Sequence, residues 1–380
     1  MNQRIPVILQ ILPSLESGGV ERGTIEIAAA IKAAGMKPIV ASSGGALVPH
    51  VIHAGAEHIT LPLKSKNPLK MWRNISALKA LIQKHNVSII HARSRAPAWS
   101  AYYAAKQTGI HFMTTFHGMY GVEGKFKKRY SGIMAQGERV IAISEFIRAY
   151  ILEQFAIDEN RIRVIPRGVD FSVFDEKRIN PERLASLTKS WRLPDAHVPI
   201  IFCPGRISRI KGQHVLIGAL TELKNRDFLC IIAGKDDGHE EYRHSLERQI
   251  IDGGLEGKVR LVDPTNAMNE AYMISELVVV PSIQPEAFGR IAIEAQAMGK
   301  AVIATDHGGA RETIVPNETG YLVPPGDAKI LADVIAFTLD RDEPTKNAMA
   351  DYARAHVREH FTSDRMKDST MAVYRELLGK

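Results

Sequence analysis

The chain of 380 residues is 45% apolar and 24% charged, ordinary values for a globular protein and enough length for two domains with separate cores. No apolar run approaches the ~18 residues of a membrane-spanning helix, and the opening MNQRIPVILQILPSL reads as a first buried strand rather than a secretory leader. The formal charge of +7 is lopsided: residues 1–180 hold 24 Lys and Arg against 13 Asp and Glu, while the remainder hold 25 against 29, which points to anionic partners for the first half.

Short apolar runs alternate with helical patterns, as in parallel α/β sheets. Strands are expected at Val7–Leu12, Pro38–Ala41, Ile59–Pro62, Ser88–His91, Phe112–Phe116, Val140–Ile143 and Arg163–Ile165. Helical stretches such as Val20–Ala34, Pro68–Lys84, Ala96–Lys106 and Glu145–Phe155 lie between them. Residues 166–198 offer few strand candidates and read as a connection. The pattern then restarts at Pro199–Cys203, Phe228–Ala233, Val259–Val262, Leu277–Val280, Ala301–Ala304 and Gly320–Leu322, and Pro344–Lys380 reads as two helices. Two doubly wound, Rossmann-like α/β sheets follow, with ligands expected at the carboxyl ends of their strands. Cys203 and Cys230 each sit in an apolar run and are expected to be buried free thiols.

The most informative stretch is Pro281–Thr313. A strand ends at proline, a loop carries Glu286, and a helix opens at Phe288-Gly289 and carries Glu294. Helix-tip amides suit a phosphate and the two carboxylates suit sugar hydroxyls, so a nucleotide sugar satisfies both. The eight-residue spacing of the glutamates is weak alone; its strand-loop-helix setting is what strengthens it. Arg206 and Lys211 straddle the loop after the first strand of the second half and are placed to reach a diphosphate, stabilising the charge that develops as it leaves.

In the first half, Gly18-Gly19 follows the first strand, where a tight turn and a ligand-approach loop are about equally good readings. No GxGxxG fingerprint is present there, and the P-loop lysine is missing. His117 ends a strand beside Gly118, and Arg93 and Arg95 lie in an equivalent loop where an anionic acceptor could be met. Two basic stretches carry aromatics, KSKNPLKMWR (Lys64–Arg73) and KFKKRY (Lys125–Tyr130), which suit a headgroup-level contact or simply a solvated face. Asp340-Arg341-Asp342 follows a helix and reads as a chance D-x-D. No other carboxylate, His or Cys group has metal spacing, and zinc-finger or aromatic-rich RNA-binding signatures are lacking, so neither a metal nor nucleic acid is expected.

Together, Gly18-Gly19, His117-Gly118, Arg167-Gly168-Val169-Asp170, Gly205-Arg206 with Lys211-Gly212, Glu286 with Glu294, and Gly308-Gly309 resemble the family 4 retaining glycosyltransferases over nearly the whole chain. Gly18–Gly23, His91–Ser100 and the PEAFGR segment are further similar to bacterial lipopolysaccharide-core sugar transferases. The resemblance implies the GT-B fold, two Rossmann-like domains facing across a cleft. Its division would be an acceptor domain at 1–180, a donor domain at 181–355, and a helix at 356–380 crossing back to the first domain. It implies that Arg206 and Lys211 hold the donor diphosphate, Glu286 the sugar and Glu294 the ribose. The amides of Phe288, Gly289 and Arg290 would cap phosphate, His117 would lie near the transferring sugar, and the Gly18-Gly19 loop would close over donor and acceptor. It also implies a UDP- or GDP-linked donor, a lipid-linked saccharide acceptor, retention of anomeric configuration, no cofactor or metal, and a place on the cytoplasmic face of an anionic membrane. Arg167 departs from the family pattern, where asparagine is frequent. A nucleotide-sugar epimerase and a non-catalytic nucleotide-sugar-binding subunit are the alternatives.

Overall fold

The computed structural model describes residues 5–16, 18–194 and 198–379, so positions 195–197 of the expected connection lie outside the described residues. Its contacts divide the chain into two units, Met1–Pro166 with Asp364–Lys380, and Arg167–Ser363. The first unit is built on seven parallel strands: β1 (Val7–Ile11), β2 (Lys37–Ser42), β3 (Glu57–Thr60), β4 (Ile89–Ala92), β5 (His111–Phe116), β6 (Arg139–Ala142) and β7 (Ile162–Val164). They run in the order β3-β2-β1-β4-β5-β6-β7. β1 and β4 are buried along their whole length, as expected of strands covered on both faces by crossover helices.

The second unit holds β8 (Ile200–Pro204), β9 (Leu229–Ala233), β10 (Val259–Val262), β11 (Leu277–Val280), β12 (Ala301–Thr305) and β13 (Gly320–Val323), ordered β10-β9-β8-β11-β12-β13. That is the doubly wound dinucleotide-fold order, in which the chain reverses direction across the sheet between β8 and β11. The equivalent reversal in the first unit falls between β1 and β4. At such a point the loops leave adjacent strands in opposite directions and open a crevice.

Every expected strand is present, with one displaced. β3 begins at Glu57, two residues before the expected Ile59, because its register is set by β2, where Ile39 pairs with Glu57. As an edge strand it is only partly buried, so its apolar pattern is faint. The division between units falls at Pro166 rather than at 180. Residues just past it are tied to the second unit: Val169 N–H donates to Phe361 O at 2.8 Å and Ser363 N–H to Val169 O at 2.8 Å. The helix Glu343–His360 also stays with the second unit, so the last segment starts at Asp364 rather than 356. The final helix, Ser363–Leu377, places Met366, Tyr374 and Leu377 in one core with Ile8, Ile89 and Met113.

Cys203 and Cys230 are buried free thiols, and burial pushes both up, Cys203 to about 12. The D-x-D residues serve local structure: Asp340 ion-pairs with Arg226, while Asp342 caps the following helix, accepting from Thr345 N–H at 2.9 Å. No helix among the described residues is long and apolar enough to cross a membrane.

Candidate active site

In the second unit, the two loops at the reversal point carry most of the residues singled out in the sequence. β8 leads through Gly205-Arg206 to Lys211-Gly212 and the helix Gln213–Glu222, and β11 leads through Pro281–Gly289 to the helix Arg290–Ala297. The loops touch where Gly212 sits at φ +71° and a Cβ would lie 1.8 Å from the Pro281 carbonyl oxygen. Only glycine allows that approach, and the approach brings Lys211 to Glu286.

Lys211 Nζ donates to Glu286 Oε1 at 2.5 Å, and Ser282 Oγ donates to the same oxygen at 2.6 Å. The two charged side chains are 24% and 18% exposed. Burial would push the Glu286 carboxyl up, but Lys211, Ser282 and the charge of His307 outweigh it and hold the carboxyl below its ordinary value. Glu286 is therefore an anion at neutral pH. The neighbouring loop after β12 presses against it: a Cβ on Gly308 would lie 2.5 Å from the Glu286 carbonyl oxygen, and Gly309 N–H donates to that oxygen at 2.8 Å.

Glu294, 7% exposed, accepts from Arg290 Nη2 at 2.7 Å through Oε1 and from the Tyr272 hydroxyl at 3.1 Å through Oε2. Gly289 caps its helix in the left-handed region, and its carbonyl accepts from Ala292 N–H at 3.1 Å, closing the first turn. The positive end of the helix dipole there attracts an anion. Arg206 differs from Lys211. Its backbone is anchored by Gln213 Nε2 donating to Arg206 O at 3.0 Å, but its guanidinium is exposed. With Ser208, His239 and Tyr242 it lines a cavity of about 480 Å³. Thus Lys211, Glu286, Arg290 and Glu294 are gathered by direct bonds into two pairs, and Arg206 stands free of an ion pair among the described residues.

In the first unit, Gly18 (φ +137°) caps the helix Gly19–Ala33 after β1. Arg93 and Arg95, after β4, part company. Arg93 is 2% exposed, its Nε donates to Gln10 Oε1 at 2.8 Å, and Tyr374 also hydrogen-bonds it. The expectation that Arg93 meets an acceptor is at odds with this burial: the guanidinium is used up satisfying Gln10, a polar group inside β1. Arg95 is half-buried, lies 4.5 Å from the Tyr120 ring centroid and donates to Ser131 Oγ at 3.1 Å. His117 follows the end of β5, partly exposed, and its backbone is bonded to the Tyr120 side chain.

Sequence reasoning missed Ser282, Tyr272 and His307. Ser282 and Glu286 are four apart in one loop, a spacing that could have suggested the bond; Tyr272 lies 22 residues from Glu294 and is joined to it only by folding. Among the described residues no group of three or more His, Cys, Asp or Glu is arranged to hold a metal ion.

The model described as "Glycosyl transferases group 1" matches residues 191–356, and the "Glycosyltransferase Family 4" model matches residues 17–173. A glycosyltransferase from Rickettsia africae is 40% identical, with a TM-score of 0.92 and 99% of both chains covered. The lipopolysaccharide core biosynthesis mannosyltransferase LpcC of Rhizobium leguminosarum is 30% identical over 219 residues, 57% of this chain and 60% of that protein. The chain spans still less, 50%, of the D-inositol 3-phosphate glycosyltransferase of Corynebacterium efficiens. Anabaena HepE, solved with UDP-glucose, shares the fold at 22% identity, with a TM-score of 0.85 and 97% and 99% of the two chains covered. With the Rickettsia relative aligned end to end, and both halves matched by transferase domain models, this chain belongs to the glycosyltransferases of the two-domain GT-B kind.

Proposed function

We propose that the protein moves a sugar from a UDP- or GDP-linked donor to a lipid-linked saccharide, with lipopolysaccharide core as the acceptor class, and with retention at the anomeric carbon. The observation that carries the donor half is the Lys211–Glu286 pair, joined at 2.5 Å beside a helix tip at the sheet's reversal point. Arg206, Lys211 and the amides of Phe288, Gly289 and Arg290 are assigned to the diphosphate, Glu286 to the donor sugar and Glu294 to the ribose. His117, Arg95 and the Gly18-Gly19 loop are assigned to the transferring sugar and acceptor.

Glu286 is held through one carboxylate oxygen by Lys211 and Ser282, which suits a fixed anion that grips the donor sugar. The reaction assigned here is substitution on the departing face: the acceptor hydroxyl attacks the anomeric carbon as the bond to the diphosphate oxygen breaks, and that phosphate oxygen takes the hydroxyl proton. Fixed cations and amides stabilise the charge on the leaving group. No step in this scheme requires a metal.

Membrane attachment by the first unit is part of the same reading. Phe126 is 92% exposed among Lys125, Lys127, Lys128 and Arg129, and Leu69 and Trp72 are 73% and 68% exposed beside Lys70 and Arg73. Ser100 Oγ donates to Met71 O at 2.9 Å and Trp99 Nε1 to Tyr130 O at 3.1 Å, so consecutive residues of one helix hold both segments. Apolar anchors within a cationic field suit an anionic lipid surface. The cytoplasmic face is where a nucleotide-sugar donor would be met.

The test is a screen of UDP- and GDP-sugars for slow hydrolysis, then acceptor trials with the winning donor and the anomeric configuration of the product read by NMR. Lipid-linked saccharide should be glycosylated and a free inositol phosphate should not; the reverse result would move the acceptor to the class named by the inositol-phosphate relatives. Product with inverted configuration, or donor epimerised without acceptor, would overturn the mechanism. Arg206→Ala should lower turnover roughly 10²–10³-fold with the fold intact.

A further inference from the structure

His307, in the loop after β12, is the one histidine among the described residues with both ring nitrogens buried and without a hydrogen-bond partner. An unprotonated imidazole carries one donor and one acceptor, and leaving them unmet inside a protein is costly. The backbone on either side of His307 is pinned to the loop that carries Glu286. Thr305 Oγ1, at the end of β12, donates to Ser282 O at 2.7 Å, and Gly309 N–H donates to Glu286 O at 2.8 Å. Between these anchors His307 N–H donates to Thr305 O at 2.8 Å, a three-residue turn. A Cβ on Gly309 would lie 2.4 Å from Phe288 Cα, so the two loops meet backbone to backbone. The ring is near enough for its charge to act on the Glu286 carboxylate, yet neither nitrogen bonds it.

Glu286 has bonding capacity to spare as well. Lys211 and Ser282 both donate to Oε1, and Oε2 has no hydrogen-bond partner among the described residues. The place therefore presents a carboxylate oxygen that can only accept, beside an imidazole that can donate and accept. A phosphate oxygen also only accepts, so it would leave Oε2 and one ring nitrogen unmet. Hydroxyls donate and accept, and a group bearing several of them can satisfy Oε2 and both nitrogens.

We propose that His307 is a specificity residue for the donor, hydrogen-bonding a hydroxyl of the transferred sugar next to the one held by Glu286. This rests on the reading of Glu286 as the anchor of the donor sugar. With both side chains in place the site reads two hydroxyls, and a sugar lacking the one at His307 leaves the ring unmet. In the protein without donor those nitrogens stabilise nothing, so an apolar ring of similar shape should not lower stability.

Isothermal titration tests this with three ligands: the nucleotide sugar hydrolysed fastest in the donor screen, its free nucleoside diphosphate, and analogues of that donor lacking one sugar hydroxyl each. His307→Phe keeps a planar ring without nitrogens; it should weaken the parent donor about tenfold and the nucleoside diphosphate less than about twofold. One deoxygenated analogue should bind the unaltered protein and His307→Phe alike, and the melting temperature without ligand should not fall. His307→Ala, which removes the ring without adding bulk, should give the same binding pattern. Equal weakening of donor and free diphosphate, an unchanged donor affinity, or an equal penalty for every analogue would overturn the inference and leave the donor assignment standing. No binding of any UDP- or GDP-sugar to the unaltered protein would instead remove the proposed function, and this inference with it.

Discussion

Breaking the Lys211–Glu286 pair has a calculable consequence. A unit charge pair about 4 Å apart attracts by about 4 kcal/mol at an effective dielectric of 20, before desolvation is subtracted. Both side chains are less than one-quarter exposed, which places the net coupling above the 0–1 kcal/mol of surface pairs and below the 3–5 kcal/mol lost when a fully buried pair is broken. A double-mutant cycle of Glu286→Gln and Lys211→Met should therefore return about 1.5–3 kcal/mol. Each single variant should lower the melting temperature of the second unit, by about 2–4 °C per kcal/mol for a body of this size.

Trp191 offers a local probe of that unit, since it is buried and packs 5.5 Å from the Phe202 ring, while Trp72 and Trp99 belong to the first unit. With Trp72→Phe and Trp99→Phe in the background, urea melts followed by Trp191 fluorescence give the four stabilities. The sign of the pH dependence follows from Glu286 titrating below its ordinary value. Its contribution is complete above the unfolded value of about 4.3 and is lost as pH falls through the lower folded value. The coupling should thus be constant from pH 7 to 5 and vanish in stronger acid. A coupling below about 0.5 kcal/mol at pH 7, or one that grows on acidification, would show that the two charges do not depend on each other.

Three further expectations can be checked with purified protein. Gly212 and Gly109 share φ +71°, but only Gly212 has a backbone atom in the way, so Gly109→Ala should cost about 1–2 kcal/mol and Gly212→Ala about 3 kcal/mol more in thermal melts; equal costs would mean the loops can move apart. Tyr374→Phe removes the hydroxyl 2.7 Å from His91 Nδ1 inside the first unit and should destabilise by about 1–3 kcal/mol, with a silent result meaning that another group takes the hydroxyl's place. Replacing Lys125, Lys127, Lys128 and Arg129 with glutamine, together with Phe126→Ser, should abolish sedimentation with phosphatidylglycerol vesicles at low salt; unchanged partitioning would remove that helix from the membrane reading.

Several of these residues were legible in the chain and several were not. Lys211, Glu286 and Glu294 stood out because strand ends and helix starts are written locally, in Pro281, Gly212 and Gly289. Arg93 was legible as a loop cation, yet its burial against Gln10 was not, because β1 and β4 are far apart in sequence and adjacent only in the sheet. The limits of the first unit were misplaced for a related reason. Residues 167–180 look like a connection, and only their bonds to Phe361 and Ser363 assign them to the second unit.

Periodicity, punctuation by proline and glycine, and charge placement by themselves determined two parallel α/β sheets, thirteen strand positions and the loops that carry the chemistry. Tertiary structure alone decided strand order, and with it that the loops after β8 and β11 are neighbours. It alone decided that Lys211 is bound to Glu286 rather than free. Local sequence sets backbone preference over a few residues. Which charges meet depends on contacts between segments dozens of residues apart, and those exist only after the sheets have formed.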